Sequence, residues 1–464
     1  MVFSSATFLY AFLPLTLLLY ALAPKRLKNA VLLGMSLVFY AFGEPRYVAL
    51  LLLSSVSDFL HGLYIEKRRG TRQARAALVS SIVLNLGFLG FFKYTDFLLG
   101  TVNDVFGTAI PLLHLRLPVG ISFYTFQTMS YTIDVYRGRV HAQRNLATFA
   151  TFVCLFPQLI AGPIVRYSDI DTQLKERKSS LADFGAGARR FTVGLAKKVM
   201  LANTLGELCA RYAASDEKSV LFSWLYAIAF LLQIYYDFSG YSDMAIGLGR
   251  MFGFDFPENF DYPYCSRSIT EFWRRWHMTL GGWFRDYVYF PLGGSRTDKT
   301  WKLLRNLAVV WLLTGLWHGA AWNFVLWGGL FGVVLMLEKT CCAGLISHTP
   351  RALQHLYVLL LVTLSFVLFN ASGVSDAFGT IGRMFGLGGA AAWGTESRYL
   401  LKSNAVLLLL AAVGATRAPK RIGDRLLQGR AALALEPLGV AVLLTLSTAC
   451  IVDGSFNPFL YFRF

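Results

Sequence analysis

A histidine deep in apolar sequence is the residue best suited to chemistry in this chain of 464 residues. His318 lies among aliphatic and aromatic residues, and its nearest charged neighbours along the chain are Arg305 and Glu338. Apolar surroundings disfavour the imidazolium form, and a neutral imidazole acts as a general base. A core histidine that only donates a hydrogen bond to a carbonyl group fits the same stretch.

The residues around His318 also have structural interpretations. Gly315 and Gly319 have the spacing that lets two helices approach closely. Trp317 is either an interfacial aromatic or part of a substrate pocket, and Asn323 is a candidate for orienting the reacting groups. We therefore treat Trp317 and Asn323 as candidate substrate-binding residues.

A second histidine, His277, lies in a segment that mixes aromatic and basic residues. Arg274 and Arg275 precede it and Arg285 follows, and these three arginines are candidate substrate-binding residues. Their charge suits an anionic substrate that carries phosphates, although contact with lipid headgroups explains it as well.

Acidic residues also interrupt apolar sequence, most clearly Asp237 and Asp243. A buried acid usually pairs with lysine or arginine, so structural ion pairs are one interpretation. The other is a substrate site or pathway, which makes Asp243 a further candidate for substrate binding. The six cysteines have no metal-ligand spacing, so neither a metal site nor a cofactor is predicted.

The amino-acid composition indicates the class of protein in which these candidate residues lie. Hydrophobic residues make up 55% of the chain and charged residues only 15%, whereas a soluble domain has about 25% charged residues. The net charge of +17 comes from Lys and Arg between apolar runs, which is an orientation bias and not a nucleic-acid-binding surface. We predict an all-α polytopic membrane protein, with one integral membrane domain over 1–464.

The apolar runs predict about 11–13 membrane-embedded helices. The stronger runs are 6–23, 47–65, 77–93, 118–136, 220–238, 303–318, 321–337, 355–370, 401–415 and 431–452. Short basic loops between them, placed in the cytoplasm, put both termini outside. The segment 237–302 is too apolar for a free loop and too charged to face lipid, so we expect re-entrant helices that line a cytoplasmic funnel.

Five stretches together resemble the membrane-bound O-acyltransferase family, in particular its bacterial alginate O-acetylation branch. They are Ile121–Gln127, Phe156–Ile164, Tyr236–Asp243, Glu271–His277 and Leu316–Gly319. The resemblance implies a ring of helices around a central tunnel, with a donor funnel on the cytoplasmic side and an acceptor opening opposite. It also implies that His318 is the catalytic histidine and that His277 faces the same tunnel.

The tail of the chain, 453–464, is expected outside the membrane. Phe459, Tyr461 and Phe464 resemble the Phe-x-Tyr-x-x-Phe tail of a small peptide in the related D-alanyl transfer system, where the tyrosine is proposed to carry the acyl group. Tyr461 is thus a candidate acyl relay, and an aromatic anchor at the interface is the alternative.

By this resemblance the expected function is transfer of acetyl from a cytoplasmic thioester, acetyl-CoA, across the bacterial inner membrane to an extracellular polysaccharide. Alginate is the first candidate acceptor, with cellulose or peptidoglycan behind it. The expected partners are a periplasmic or membrane-anchored SGNH-type O-acetyltransferase, a polysaccharide-modification complex and the lipid bilayer, with no nucleic acid. The alternative function is a polytopic transporter or flippase of a polar cell-envelope precursor.

Overall fold

Every regular element in the described part of the chain is a helix. The computed structural model describes residues 1–177, 180–297, 299–426 and 432–454. The α-helices are α1 Leu13–Leu22, α2 Lys28–Gly43, α3 Val48–Lys67, α4 Arg72–Phe106, α5 Ile121–Tyr136, α6 Leu146–Cys154, α7 Phe156–Leu159, α8 Tyr167–Lys175, α9 Leu181–Ala196, α10 Asn203–Ala214, α11 Val220–Met251, α12 Ile269–Arg275, α13 Met278–Phe284, α14 Thr300–His318, α15 Trp322–Thr340, α16 Ala343–His348, α17 Arg351–Asn370, α18 Val374–Met384, α19 Thr395–Gly414, α20 Ala418–Leu426 and α21 Ala432–Asp453.

Six helices of the described residues are long and apolar enough to cross a bilayer. They are Pro45–Lys67, Arg72–Phe106, Val220–Met251, Trp322–Thr340, Arg351–Asn370 and Ala432–Asp453. α19 and α20 meet the same criterion as a pair, bent by 76° at the break between them. The protein is therefore a multi-pass, all-α membrane protein, as its composition predicts.

Three of the predicted spans form helices of a different kind. The run at 6–23 becomes a short apolar helix over Phe8–Leu22. α5 has 16 residues, and nearly all of its side chains are buried although many are polar, so surrounding protein and not lipid stabilises it. α14 carries Lys302 and Arg305 in its first turns, which leaves an apolar part shorter than the roughly 20 residues of a span.

One compact unit comprises Met1–Phe191 and Ser242–Pro257. In its core Asp58, on α3, accepts hydrogen bonds from Ser81 Oγ at 2.6 Å and from Asn85 Nδ2 at 2.8 Å, both on α4. Neutral donors thus satisfy a buried carboxyl group and hold α3 against α4. Phenylalanine rings with centroids 4.9 to 6.3 Å apart fill another part of this core: Phe3, Phe8, Phe12, Phe39 and Phe156.

The other unit comprises Thr192–Tyr241 and the described residues from Glu258 onward. Its core is formed by aliphatic and aromatic side chains of α10, α11, α12, α15 and α17. The residues that packing brings together here include both candidate catalytic histidines. The candidate active site is therefore a feature of this unit.

The polar residues from Tyr235 to Asp243 do not interrupt α11, which continues to Met251. Asp237 Oδ1 lies 2.5 Å from Lys198 Nζ, and both side chains are buried. The irregular part of the segment 237–302 therefore begins only after Met251. It contains α12, α13, a 3₁₀ turn at Pro263–Cys265 and a π-helical turn at Arg285–Tyr289.

Candidate active site

His318 is the last residue of α14, and aromatic rings enclose its imidazole. The ring centroids of Trp317, Trp327 and Phe369 lie 5.0, 5.1 and 5.3 Å from that of His318, each edge to face. His318 is only 5% exposed. Edge-to-face contacts of this kind are specific in geometry, so the three rings fix the orientation of the imidazole and shield it from bulk water.

Close packing of α14 against α15 positions this cage. A Cβ atom on Gly315 would lie 2.4 Å from the carbonyl oxygen of Phe324, and one on Gly328 would lie 2.4 Å from that of Trp311. The backbones of the two helices are thus in direct contact, which confirms the packing role expected of Gly315. Gly319 lies against the ring of Phe324, where a Cβ atom would be 2.2 Å from the nearest ring carbons.

His277 is held by an acceptor that sequence reasoning missed. Its Nδ1 lies 3.1 Å from Asn259 Oδ1, and this oxygen also accepts hydrogen bonds from the backbone N–H of Thr279 at 3.2 Å and from its hydroxyl at 2.8 Å. Because a backbone N–H can only donate, Asn259 presents its oxygen, and Nδ1 of His277 must carry the proton. The lone pair is therefore on Nε2, which has no hydrogen-bond partner in the described part of the chain.

The backbone at His277 supports the same arrangement. His277 is 2% exposed, and its φ of +45° lies in the left-handed region, which is uncommon for a residue with a Cβ atom. His277 lies between two seven-residue helices, α12 and α13. Asn259 lies 18 residues earlier in irregular chain, where no periodicity marked it as a partner.

Trp317 contacts both histidines. Its ring centroid lies 5.9 Å from that of His277 and 5.0 Å from that of His318. The structure thus brings three of the candidate residues into one cluster, which the sequence alone did not establish. Both imidazoles thus lie against one indole ring.

A cavity of about 380 Å³ opens at His277. Arg274, Arg285 and Lys339 line it together with Trp273 and Trp311. Arg285 also pairs with Asp286, Nε to Oδ1, at 2.9 Å. The wall thus combines cationic side chains with flat aromatic surfaces, which are side chains of the kind that contact phosphate groups and ring systems. Lys339 belongs to this wall although sequence reasoning did not select it.

Two other candidate residues, Arg275 and Asn323, make contacts that stabilise the fold. Arg275 does not line this cavity, and its Nη2 lies 2.6 Å from Glu271 Oε1 in an ion pair one helical turn apart. Asn323 Nδ2 donates to the carbonyl oxygens of Phe369 and Ala371 at 3.3 and 3.1 Å. Asn323 therefore caps the end of α17 and holds the ring of Phe369 beside His318.

The remaining candidates lie away from this cluster or outside the described residues. Asp243 belongs to the first unit, where its Oδ1 lies 3.0 Å from Arg190 Nη2. Asp237 is paired with Lys198. The transporter alternative depends on Asp237 and Asp243, and both acids take part in ion pairs. Tyr461 and the rest of the predicted relay tail lie outside the described residues.

A second cavity, of about 700 Å³, lies at the end of α17. We call it the α17 cavity. Asn370 lines it, and the preceding residue, Phe369, contacts His318. The other cavity includes His277, which shares Trp317 with His318.

Sequence comparisons relate this chain to a known family of enzymes. The family model for membrane-bound O-acyltransferases matches residues 137–375. The probable alginate O-acetylase of Azotobacter vinelandii is 44% identical over 393 residues, which cover 84% of this chain and 79% of that protein. The peptidoglycan O-acetyltransferase of Helicobacter pylori is 34% identical over 430 residues, with 84% and 80% covered.

A more distant relative matches a shorter part of the chain. The teichoic acid D-alanyltransferase of Bacillus subtilis is 31% identical over 229 residues, which cover 47% of this chain and 58% of that protein. The relatives thus transfer acyl groups of more than one kind. From the matched family model and the long alignments, this chain belongs to the membrane-bound O-acyltransferase family and is an O-acyltransferase.

Proposed function

We propose that the protein takes acetyl from acetyl-CoA on the cytoplasmic side of the inner membrane and passes it across for O-acetylation of an extracellular polysaccharide, with alginate as the first candidate. The observation that carries this proposal is the cluster of His318, Trp317 and His277, in which His277 lines a cavity with cationic and aromatic walls. A donor bound in that cavity lies beside His277, and Trp317 contacts both His277 and His318.

The cavity of about 380 Å³ suits the acyl donor. Arg274, Arg285 and Lys339 line it, and side chains of this type bind the phosphates of a coenzyme A thioester. Lys339 lies in the last turn of α15 and Arg285 begins a π-helical turn, so both lie near element ends where charged side chains reach water. Under the positive-inside bias this end of the site faces the cytoplasm.

His318 is the catalytic base in the proposed reaction. It removes the proton from an acceptor hydroxyl, the oxygen attacks the thioester carbonyl carbon, the C–O bond forms and the C–S bond breaks. The coenzyme A thiolate leaves and takes up the proton that His318 has received. His277, with its lone pair on Nε2, orients the reacting group from the donor side.

Tyr461 is the proposed acceptor of the first transfer. Its acetyl ester would then pass to a periplasmic or membrane-anchored SGNH-type O-acetyltransferase within a polysaccharide-modification complex. The similarity to the alginate and peptidoglycan enzymes supports an acetyl group and an extracellular polymer. The fused Phe-x-Tyr-x-x-Phe pattern supports a tyrosine relay in this chain.

Replacing His318 by Ala tests the catalytic role. With equal amounts of protein in the membrane, we expect the ester content of the polymer to fall to background, because removing a general base costs about 10²–10⁴-fold in rate. Unchanged acetylation in this variant would exclude His318 as the base.

Tyr461→Phe tests the relay, because it removes the hydroxyl and keeps the aromatic ring. Incubation with radiolabelled acetyl-CoA should label the unchanged protein on Tyr461 and leave the Tyr461→Phe protein unlabelled. Normal polymer acetylation by the Tyr461→Phe protein would make the tail an anchor only.

A further inference from the structure

A third cavity lies at the C-terminal end of α3, in the unit that does not contain the candidate histidines. Its volume is about 650 Å³, and we call it the α3 cavity. Leu60, Leu63 and Tyr64 form one side of it. Leu60 is 56% exposed and Tyr64 is 45% exposed, and the helix that carries them is long and apolar enough to cross a bilayer. This side of the cavity is therefore open to the lipid chains.

Another part of the wall of the α3 cavity is basic. Lys67, Arg69 and Arg144 line it, and all three residues are exposed. Lys67 and Arg69 form no ion pair within the described part of the chain. Arg69 donates from Nη2 to the carbonyl oxygen of Val135 at 2.9 Å. This bond holds the guanidinium at the cavity and leaves its other N–H groups for a ligand, since a guanidinium carries five of them.

The carboxylate in this cavity already has its partners. Glu66 Oε1 accepts hydrogen bonds from His141 Nδ1 and from the backbone N–H of Ala142, each at 3.0 Å, and Oε2 pairs with Arg144. These contacts hold the segment before α6, and Arg144 with it, against the end of α3. The Arg144 side chain is still 72% exposed. Three cationic side chains against one carboxylate leave the wall with a net charge of +2 when His141 is neutral.

The order of side chains along α3 matches the order of chemical groups in a membrane lipid. Leu60, Tyr64 and Lys67 follow one another at intervals of about one helical turn, so they lie on one face of the helix. An apolar side chain comes first, an aromatic ring follows, and a cation lies at the end of the helix. Tyrosine is enriched where a bilayer meets water, and basic pockets at this level bind anionic headgroups.

We propose that the α3 cavity binds an anionic phospholipid, with Lys67, Arg69 and Arg144 on its phosphate and its acyl chains along Leu60 and Leu63. A free phosphate ion would use only the basic wall, whereas a phospholipid uses both the basic wall and the leucines that face the lipid chains. Because Lys67 ends α3 and Arg144 precedes α6, the bound lipid also bridges two elements of this unit.

Lipid binding to the full chain, delipidated in a neutral detergent, tests this proposal. Native mass spectrometry resolves each bound lipid, and the two probes are phosphatidylglycerol and phosphatidylcholine with the same acyl chains. Phosphatidylglycerol should bind at least about tenfold more tightly, since a charge-assisted hydrogen bond stabilises binding by this much or more. Inorganic phosphate at the same concentration should not displace it. Equal affinity for the two lipids, or displacement by inorganic phosphate, would overturn the lipid assignment.

Single substitutions locate the site. Lys67→Gln and Arg69→Gln should each weaken binding of the first phosphatidylglycerol molecule about tenfold. Arg68→Gln is the matched control, because it removes the same charge from a neighbouring exposed residue that does not line the cavity. A loss in Arg68→Gln as large as in Lys67→Gln would indicate attraction to surface charge in general and would overturn the site. No acyl donor is present in these titrations, so their outcome is independent of whether His318 is the base.

Discussion

Adding one methyl group at Gly315 tests whether the close approach of α14 and α15 sets the geometry around His318. The new Cβ atom would stand 2.4 Å from the carbonyl oxygen of Phe324, which is about 1 Å inside an ordinary contact, so α15 must move away by roughly that distance. α15 carries Trp327, whose ring touches His318. A displacement of about 1 Å near a reacting group costs roughly 100-fold in rate.

The assay is acetyl transfer per mole of monodisperse Gly315→Ala protein, with thermal unfolding measured on the same sample. We expect kcat to fall roughly 100-fold, with little change in KM for acetyl-CoA, the proposed donor, because Gly315 does not line the cavity at His277 that we propose binds it. Overpacking should also destabilise the protein by about 1–3 kcal/mol. Gly329→Ala is the matched control on α15, because nothing lies within 4 Å of its added Cβ atom. Full activity in Gly315→Ala would refute the reasoning.

Three further predictions concern other parts of the chain. Asn259→Ala removes the acceptor for His277 Nδ1 and should lower kcat by about tenfold or more; an unaltered pH–rate profile and kcat would show that the tautomer of His277 is irrelevant. Arg274→Gln should raise KM for acetyl-CoA about two- to fivefold, the range for an exposed ion pair, and added salt should reduce this effect. Arg275→Gln is the control and should not change KM. Equal effects of the two substitutions would contradict the assignment of the cavity wall. Burial alone would raise the pKa of Glu217, but hydrogen bonds from Ser397 and Glu396 outweigh burial and hold this pKa below its usual value of 4.5. This stabilisation is complete above pH 4.5 and is lost as the pH falls through the lower pKa of the folded protein. The thermal midpoint should therefore drop more steeply with acid in the unchanged protein than in Glu217→Gln. Parallel curves of thermal midpoint against pH would contradict this role of Glu217.

The fold class was predictable from sequence because it depends on composition and on local pattern. A low content of charged residues and repeated apolar runs identify a polytopic membrane protein whatever the packing. His318 was recognisable because its neighbours along the chain are apolar.

What could not be predicted depends on contacts between distant residues. Asn259 acquires its role from His277 and Thr279, and Lys339 acquires its role from the folding of α15 against the segment around Arg285. Contacts between distant residues also explain why α11 is continuous. Asp237 and Gly240 indicate an interruption of the helix in sequence, yet α11 continues because Lys198 neutralises the acid. A Cβ atom on Gly240 would lie 2.8 Å from the carbonyl oxygen of Gly194, so the glycine allows close contact.

The ion pairs of α11 have a consequence for how the protein is made. The cations Arg190 and Lys198 precede their acidic partners Asp243 and Asp237 in the chain, so they leave the ribosome first. An aspartate at the centre of a membrane helix costs about 2.5–3.5 kcal/mol on insertion. Because each partner cation is already synthesised when α11 emerges, this cost falls if the helix is released from the translocon against the preceding segment. We therefore expect α11 to insert together with the segment that carries Arg190 and Lys198.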